Sequence, residues 1–596
     1  MRKQKDLNIL TFEGMEPWQG YLSKAKIKLL NKTWAGSFRK YILPKLPVEE
    51  LSQFYTERMG RPTKDLLTGI GAAVLQQIFN LTDPETREQL AFNQQWHFAL
   101  DTYDPGEQLF SEKTLWTIRY HLTKEGICQS IFQKVTDDII KVLNVDTSKQ
   151  RMDSVHVYSN MAKLGRVRLL SRTITKFLKN LKRQYAKEYE SNISEEVKER
   201  YIKRKGRGYF GNVKPSESQK RLSEIAEDLQ KLIEIYSINE SVMKMSSYKL
   251  MDRVFLEQCV IKEGKVELKP SKEIASDSIQ NPSDIDAGYD GHKGQGYQVQ
   301  LSETYNRKEK HSEGKGKETK EQETKEQKQE KVQGKEVLDL ITYVKVESAD
   351  KHDSKALEPA IEEMGDRDIK PEEILVDAAY GGDENVMESK EKGVKVISPV
   401  IGKKSGKDYS GFRFDSKTKG VKRCADGKSP ESVKRNKSGR ITAIWSKKDC
   451  VDCPLQENCR TKKGARGRRL VYTEKGIRLW QRRQYESSHK FKDKYRYRAG
   501  IEATNARYIH MTGARRVRYR GQEKVEFAEV MKALGINMFR VLRYVLNTGG
   551  ILDPIMNILY KNTVFPIFCI LKNKISIFCS KYDLKLYSAI FNPIIL

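Results

Sequence analysis

The first quarter of the chain carries apolar residues at helical spacing. In "FSEKTLWTIRYHL" the apolar positions recur every three or four residues, and Ser111 stands where a helix N-cap is expected. In "TDPETREQLAF", Thr82 and Glu85 have the spacing of a capping box. We therefore expect residues 1–145 to be all-helical. A small helical bundle and a helix-turn-helix unit both fit this pattern.

The middle of the chain alternates between strand and helix patterns. The segment "QRMDSVHVYSN" predicts a strand around Asp153, and "EEILVDAAYGG" predicts a buried strand that ends in Asp377. Between them, "GYQVQLSETY" and "DLITYVKVESAD" predict a hairpin, and "SKALEPAIEEMG" predicts a helix. Charged helical patterns cover about 165–250, and a last helical region covers about 485–547. This order predicts an α/β core in residues 146–547, with a helical insertion.

Three segments lack such patterns. Residues 306–331 contain no apolar side chain, so we expect a disordered insertion in the hairpin loop at about 306–335. Residues of about 400–465 are rich in Gly, Lys and Ser and contain a cysteine cluster. The apolar tail 548–596 has uncharged runs shorter than the roughly 20 residues of a membrane helix. Its role stays unassigned.

The charge of the chain points to a class of partner. It has 110 Lys and Arg and only 80 Asp and Glu, which gives a net charge of +30. Such an excess favours a polyanionic partner, most commonly nucleic acid, over a merely soluble basic protein. Eight cysteines are too few for a disulfide scaffold, and the N-terminus has no apolar signal segment. We expect a cytoplasmic protein that involves no membrane.

Three carboxylates lie at sequence positions where catalytic carboxylates are often found, in or directly after a predicted strand or on a predicted helix. Asp153 lies in a strand, Asp377 closes another strand, and Glu502 lies in the helical segment "KYRYRAGIEATNARYIH". Three converging carboxylates repel one another unless a cation lies between them, and oxygen ligands suit Mg²⁺ or Mn²⁺. A surface or capping role is the alternative for each acid, because many such trios can be drawn in this chain.

Basic and aromatic residues surround the third carboxylate. On a continuous helix, Tyr495 and Arg498 would share one face with Glu502. The following "GARRVRYRG" carries Arg515, Arg516 and Arg518, which could contact DNA phosphates or form an ordinary solvated face. We favour phosphate contacts, because the run directly follows the Glu502 helix.

Four cysteines lie close together in the sequence. Cys450 and Cys453 are separated by two residues, a common spacing for Zn²⁺ ligands, and Cys424 and Cys459 could complete a Cys₄ site. Four thiolates leave no open position on the metal, so such a site would be structural. Reduced thiols without a metal are the alternative.

The segments "MDSVHVYSNM", "LVDAAYGGDEN" and "YRYRAGIEATNARYIH…TGARRVRYRG" resemble the three signature blocks of the DDE transposases of bacterial insertion sequences. The N-terminal "GRPTKDLLTGIGAAVLQQIFNLTDPETREQLAF" is similar to the helical N-terminal domain of one subgroup, in which that domain is fused to an RNase H-like catalytic domain. The resemblance runs from about residue 45 to 545 and stops before the apolar tail.

The resemblance implies that Asp153, Asp377 and Glu502 form the metal-binding DDE triad. It also implies that Tyr495 and Arg498 complete the motif Tyr-x₂-Arg-x₃-Glu. The position at which the related motif has a DNA-contacting Lys is Ile509 in this chain. Arg507 and His510 are therefore the candidates to replace it, and Arg507 joins the predicted DNA contacts.

The function that the resemblance implies is Mg²⁺- or Mn²⁺-dependent cleavage at the ends of an insertion sequence, followed by strand transfer into target DNA. The partners would be double-stranded DNA with terminal inverted repeats, target DNA and a second copy of the chain. The N-terminal domain would recognise the end DNA or dimerise. An RNase H-like nuclease that cuts without joining and an inactive DNA-binding descendant are the alternatives.

Deletion of residues 308–333 should leave folding and DNA cleavage nearly unchanged. The free energy of closing a loop varies slowly with its length, and Val332 is the only apolar side chain of the segment, too little to anchor it. Soluble yield and cleavage of end DNA, compared with the full chain, test this expectation. Loss of soluble protein would contradict it.

Overall fold

The computed structural model describes residues 3, 17–124, 126–203, 209–210, 213–306, 337–402, 408–416 and 418–548. The predicted insertion at 306–335 therefore lies outside the described residues apart from Asn306, and the tail 548–596 lies outside them apart from Thr548. Among the described helices, none is both long enough and apolar enough to span a membrane.

The N-terminal region is helical, as predicted. Its helices are α1 (Lys24–Asn31), α2 (Trp34–Ser37), α3 (Val48–Ser52), α4 (Leu66–Ile78), α5 (Asp83–Phe92), α6 (Gln94–Ala99), α7 (Glu112–Leu122) and α8 (Ile127–Leu143). The predicted caps are confirmed. Thr82 and Glu85 form the capping box of α5, and Ser111 accepts a hydrogen bond from the Thr114 N–H at the start of α7. Every residue of α4 is buried, so this helix lies at the centre of the region.

The strand predicted around Asp153 is β1 (Lys149–Tyr158), and a helical insertion follows it. The insertion consists of α9 (Arg166–Gln184), α10 (Ala186–Asn192), α11 (Glu195–Tyr201), α12 (Ser218–Tyr236), α13 (Glu240–Met243), α14 (Ser246–Gln258) and the hairpin β2 (Cys259–Lys262) and β3 (Lys265–Leu268). Its buried side chains, with Phe177 and Tyr236 among the largest, form a hydrophobic cluster of their own. The insertion therefore packs as a separate unit.

The central sheet contains β1 and five further strands. These are β4 (Gly288–Asp290), β5 (Gly294–Thr304), β6 (Ile341–Ser348), β7 (Glu373–Leu375) and β8 (Lys395–Ile397), with α15 (Leu357–Asp366) and α16 (Asp383–Glu391) in the connections. β1 pairs in parallel with β7, and β7 pairs in parallel with β8. On its other edge β1 pairs antiparallel with β5, which pairs antiparallel with β4 and β6. The predicted hairpin of β5 and β6 and the α/β class are thus confirmed.

The cysteine-rich region is a small module. It contains β9 (Arg413–Phe414), β10 (Val421–Arg423), β11 (Ser432–Arg435), β12 (Ile441–Ser446), α17 (Lys447–Val451), β13 (Lys462–Gly464) and β14 (Gly467–Tyr472). Four of the strands form a sheet in the order β11, β12, β14, β13. Trp445 is fully buried at the centre of its hydrophobic cluster.

The last helices are α18 (Glu474–Ser487), α19 (His489–Tyr495), α20 (Ala499–Thr512) and α21 (Gln522–Asn547), with a 3₁₀ turn at Arg496–Arg498. The last region is therefore helical, as predicted, but a 3₁₀ turn separates Tyr495 from the α-helix that carries Glu502. The physical reason lies in β1. The Arg151 guanidinium donates a hydrogen bond of 2.8 Å to the Tyr497 carbonyl at the turn, and it lies so close to Gly500 that a Cβ there would be 2.1 Å away.

One hydrophobic core connects the N-terminal helices with the sheet. Buried side chains of α4, α8, β1, β5, β6 and α21 belong to a single cluster. α21 packs against α4, α8 and β6, and the buried Asn537 on it hydrogen-bonds both the N–H and the carbonyl of Ile341 in β6. The N-terminal helices and the sheet are therefore held together as one packed body.

Candidate active site

The register of the parallel strands brings two of the predicted carboxylates to the same level. Lys149 pairs with Glu373 and Arg151 pairs with Leu375. Asp153 lies two residues further along β1, and Asp377 lies two residues beyond Leu375, where β7 ends. The Asp377 charge acts on Asp153, so the two carboxylates lie near each other. Neighbouring strands lie about 4.8 Å apart, so the two side chains start from adjacent positions. Asp377 Oδ1 also accepts hydrogen bonds from the Ala379 N–H, at 2.9 Å, and from the Tyr380 N–H, at 3.3 Å.

Arg498 joins the third carboxylate to this pair. Its Nη2 lies 3.1 Å from Asp153 Oδ2, and its Nη1 lies 2.6 Å from Glu502 Oε1. The Asp153 side chain is 15% exposed and the Glu502 side chain is 63% exposed, so the site opens to solvent on the side of α20. Two of the three predicted acids, Asp153 and Glu502, thus contact one guanidinium, and the Asp377 charge also acts on it.

The pKa of Asp153 reflects its burial and the negative charge of the neighbouring carboxylates. Burial raises the pKa of Asp153, and the Asp377 and Asp353 charges raise it further, while Arg498 lowers it. The net shift is upward. A raised carboxyl pKa means that the ionised form is disfavoured, so the acidic group requires a cation to keep its charge. In this structure that cation is Arg498.

The donor set fits a hard divalent ion. Three carboxylates and an amide oxygen are available, because Asn505 Nδ2 donates to Asp153 Oδ2 at 3.1 Å. The Oδ1 of Asn505 is buried without a hydrogen-bond partner among the described residues. Such oxygen ligands are the ones that Mg²⁺ and Mn²⁺ prefer. Within the same residues, no group of three His, Cys, Asp or Glu side chains is closely enough arranged to hold a metal as it stands.

The sequence did not identify Asp353 as an acidic residue near the site. It lies in a 3₁₀ helix, Asp353–Lys355, after β6, and it accepts a hydrogen bond of 3.1 Å from Gln300 of β5. Its charge contributes to the raised pKa values of both Asp153 and Tyr380. The surrounding "ADKHDSK" has no motif that could have identified it, so a fourth acid near the site became visible only in the fold.

A second residue that the sequence did not reveal holds the site together. Glu303 of β5 is fully buried and accepts three hydrogen bonds from three elements. The donors are Arg151 Nε of β1 at 2.7 Å, Thr504 Oγ1 of α20 at 2.7 Å and Arg540 Nη2 of α21 at 2.8 Å. Burial raises the pKa of Glu303, but the Arg540 and Arg151 guanidinium groups outweigh it and lower the pKa overall. We call this set the Glu303 cluster, and it fixes α20, which carries Glu502, against the sheet.

The predicted DNA contacts do not all lie at the acids. Tyr495 is half-buried and stacks on Phe491 with ring centroids 5.1 Å apart, and burial raises its pKa. Arg507 and His510 are exposed on α20, whereas Ile509 packs against the hydrophobic core. Ile509 therefore has a structural role, and the predicted DNA contact of Arg507 stays a prediction.

The arginine-rich loop lies beyond the acids along β1. The Tyr158 N–H donates to the Arg515 carbonyl at 2.9 Å, and the Val517 N–H donates to the Tyr158 carbonyl at 2.9 Å. The loop thus extends the far end of β1, five residues after Asp153. At about 3.3 Å per residue, this places Arg515, Arg516 and Arg518 on the order of 16 Å from the carboxylates. They form a basic surface beside the site rather than part of it.

The four predicted cysteines do come together. Cys424, Cys450, Cys453 and Cys459 line one cavity of about 20 Å³ in the cysteine-rich module, and none of them is in a disulfide. Burial raises the pKa of the Cys450 thiol, and the three neighbouring thiols add to it. A cavity of this size holds about one water-sized occupant.

Comparison with known families identifies two matching regions. Residues 423–542 match a model described as a transposase DDE domain, and residues 36–121 match a model described as a transposase domain (DUF772). The first match includes Arg498, Glu502 and the arginine-rich loop, and it begins after Asp153 and Asp377. No curated protein and no solved structure matches the chain.

The Glu303 cluster makes a stability prediction. Glu303→Gln should lower the free energy of unfolding by about 3–5 kcal/mol, because two buried guanidinium groups lose their shared counter-charge. Glu502→Gln, which removes an exposed carboxylate from α20, is the control and should change stability by no more than about 0.5 kcal/mol. Urea unfolding followed by circular dichroism measures both. Equal stability of the two variants would disprove the role given to Glu303.

Proposed function

We propose that the chain is a DDE transposase of the insertion-sequence type, as the two matching transposase models support, and that Asp153, Asp377 and Glu502 hold the divalent ions with which it cuts and joins DNA. The observation that carries this proposal is that Arg498 connects Asp153 to Glu502, while the pairing of β1 with β7 ends two residues before Asp153 and Asp377. Mg²⁺ or Mn²⁺ bound there would activate the attacking oxygen and stabilise the leaving oxygen of a phosphodiester.

The catalytic domain is, in this proposal, RNase H-like, as the resemblance implies. The sheet order supports it: β6, β5, β1, β7 and β8 lie side by side, with β1, β7 and β8 parallel and β5 antiparallel to β1. Asp153 is in the central strand and Asp377 follows the next one. One acid on the central strand, a second just after the neighbouring strand and a third on a helix would form an open site that a DNA backbone can reach.

Arg498 has two roles in this proposal. Before metal binds, its guanidinium neutralises Asp153 and Glu502. Once the carboxylates hold cations, the guanidinium is released to bind a phosphate oxygen with paired hydrogen bonds. An Arg–Glu helix pair alone would contribute only about 0.2–0.5 kcal/mol. Tyr495 lies beside Arg498 and would contact the DNA sugar, and Arg507, Arg515, Arg516 and Arg518 would follow the phosphates.

The reaction would begin with hydrolysis of a strand at the element end, in double-stranded DNA with terminal inverted repeats. The freed 3′-hydroxyl would then attack target DNA at the same carboxylates. Pairing of two chains as a homodimer would bring two ends together. The cytoplasm, with the nucleoid as substrate, is the proposed location, and the N-terminal helices would contact the end DNA or the second chain.

The cysteine-rich module would hold one structural Zn²⁺. The four thiols around a single small cavity support this, because Zn²⁺ prefers four sulfur ligands in structural sites. Cys424 follows β10, Cys450 lies in α17, and Cys453 and Cys459 lie in the loop before β13. The ion would therefore fasten the loops of a module that has only a small hydrophobic cluster.

The triad makes the first functional prediction. Asp153→Ala, Asp377→Ala and Glu502→Ala should each reduce Mg²⁺-dependent cleavage of labelled end DNA by at least about 100-fold, while DNA binding stays near that of the parent. Glu195→Ala, which removes a carboxylate of the helical insertion that is 65% exposed, is the matched control and should cleave normally.

A strand-transfer assay with the same purified proteins distinguishes DNA joining from DNA cleavage. With precleaved ends, the parent should join the 3′-hydroxyl to target DNA and the three triad variants should not. A parent that cuts but never joins would support a nuclease instead. Normal cleavage by any one variant would remove that residue from the site.

The cysteine cluster makes the second prediction. Elemental analysis should find one zinc per chain in the parent and in Cys128→Ser, which changes a buried cysteine outside the cluster. Cys450→Ser and Cys453→Ser should lose the metal and melt at a lower temperature, since binding of a structural Zn²⁺ contributes to folding. Zinc-free parent protein would refute the proposal.

A further inference from the structure

A surface pocket of about 310 Å³ lies where the N-terminal helices meet the arginine-rich loop. We call it the Trp116 pocket. Its lining residues come mainly from α7, from the arginine-rich loop and from α21, and they include Trp116, Tyr120, Arg518, Tyr519, Arg520 and Lys524. The pocket combines aromatic and basic side chains, and neither the metal site nor the zinc module uses it.

Two aromatic side chains of the pocket remain exposed. Trp116 is 51% exposed and Tyr120 is 40% exposed, although both are large and apolar. Their rings stack on each other with centroids 5.4 Å apart and planes 11° apart. A pair of parallel rings with free surface is a platform on which a flat, aromatic ligand can stack.

The rim of the pocket is basic. Arg518, Arg520 and Lys524 surround it, and Arg520 and Lys524 make no ion pair with an acid in the part of the chain that the structure describes. Arg518 has only a distant contact, 3.9 Å from Glu85. Positive charge beside an aromatic platform fits a ligand that has both a phosphate and an aromatic ring.

The walls of the pocket are fixed before any ligand arrives. The Tyr519 hydroxyl accepts a hydrogen bond of 3.1 Å from Gln77 of α4, and the Arg119 guanidinium lies 5.3 Å from the Tyr519 ring centroid. Arg119 in turn makes two hydrogen bonds, of 2.6 and 3.0 Å, with the Asp83 carboxylate. The loop and the N-terminal helices are therefore locked together, and little ordering is left for binding.

We propose that the Trp116 pocket binds an unpaired base of the DNA strand, stacked on Trp116 and Tyr120, with the flanking phosphates on Arg518, Arg520 and Lys524. The proposal rests on the proposed function, since the loop that forms the rim extends β1 on the order of 16 Å beyond Asp153. Paired bases in a duplex cover each other's faces, so a stacking platform selects bases that have left the helix.

Binding of oligonucleotides with and without unpaired bases tests the pocket. The probes are an oligo-dT of about 12 nucleotides, within the roughly 4–16 that such sites cover, and a fully paired duplex of equal length. The parent should bind the single strand, and Trp116→Ala together with Tyr120→Ala should weaken that binding about five- to 100-fold. Duplex binding should change less than threefold, because the arginines remain.

Two controls keep the test specific. Tyr21→Ala removes an exposed aromatic, 61% exposed and stacked on Tyr103, from the same helical region but away from the arginines, and it should bind like the parent. Trp116→Phe should restore most of the single-strand binding. A 2-aminopurine base in the oligonucleotide should lose fluorescence on binding to the parent and not on binding to the double variant.

Equal binding of oligo-dT by the parent and the double variant would overturn the proposal, as would equal losses for single-stranded and duplex DNA. These outcomes differ from failure of the proposed function. If the metal site were wrong, Mg²⁺-dependent cleavage of duplex ends would be absent while the stacking preference persisted. If the pocket were wrong, cleavage would persist without any aromatic-dependent preference for unpaired bases.

Discussion

The buried charge of Glu303 is the constraint on which the candidate site depends. A carboxylate without solvent exposure must be neutralised by partners, and here two guanidinium groups and a hydroxyl supply them. Because those partners lie on β1, α20 and α21, satisfying Glu303 fixes three elements relative to β5. Removal of one partner from such a group leaves an uncompensated charge that costs several kcal/mol. Glu502 is two residues from Thr504 on α20, so the cluster also determines where the third carboxylate lies.

The features that the sequence predicted are those with local causes. The capping box at Thr82 needs only residues three positions apart, and the hairpin of β5 and β6 needs only two apolar strands joined in sequence. The strand around Asp153 follows from its alternating and β-branched residues. The assignment of three acids among 80 Asp and Glu required the family resemblance, because no local pattern singles them out.

The features that the sequence did not predict depend on partners far along the chain. Glu303 is 152 positions from Arg151 and 237 positions from Arg540, so nothing in "QLSETY" marks it as a buried ion. The 3₁₀ turn between Tyr495 and Glu502 is the place where Arg151 of a distant strand donates a hydrogen bond to the Tyr497 carbonyl. For the same reason, the shared core of the N-terminal helices and the sheet could not be inferred from either part alone.

These contacts together make β1 the common reference of the site. Three residues of this ten-residue strand contact different parts of the site. Arg151 donates to Glu303, Asp153 pairs with Arg498, and the Tyr158 backbone hydrogen-bonds the arginine-rich loop. A paired strand keeps its residues at about 3.3 Å intervals, so the distance from the carboxylates to the loop is set by the backbone rather than by flexible side chains. Each DNA strand rises 3.4 Å per nucleotide along the helix axis. In the proposed complex with DNA, the roughly 16 Å between Asp153 and Tyr158 would correspond to about five nucleotides between a phosphodiester at the acids and a nucleotide at the loop.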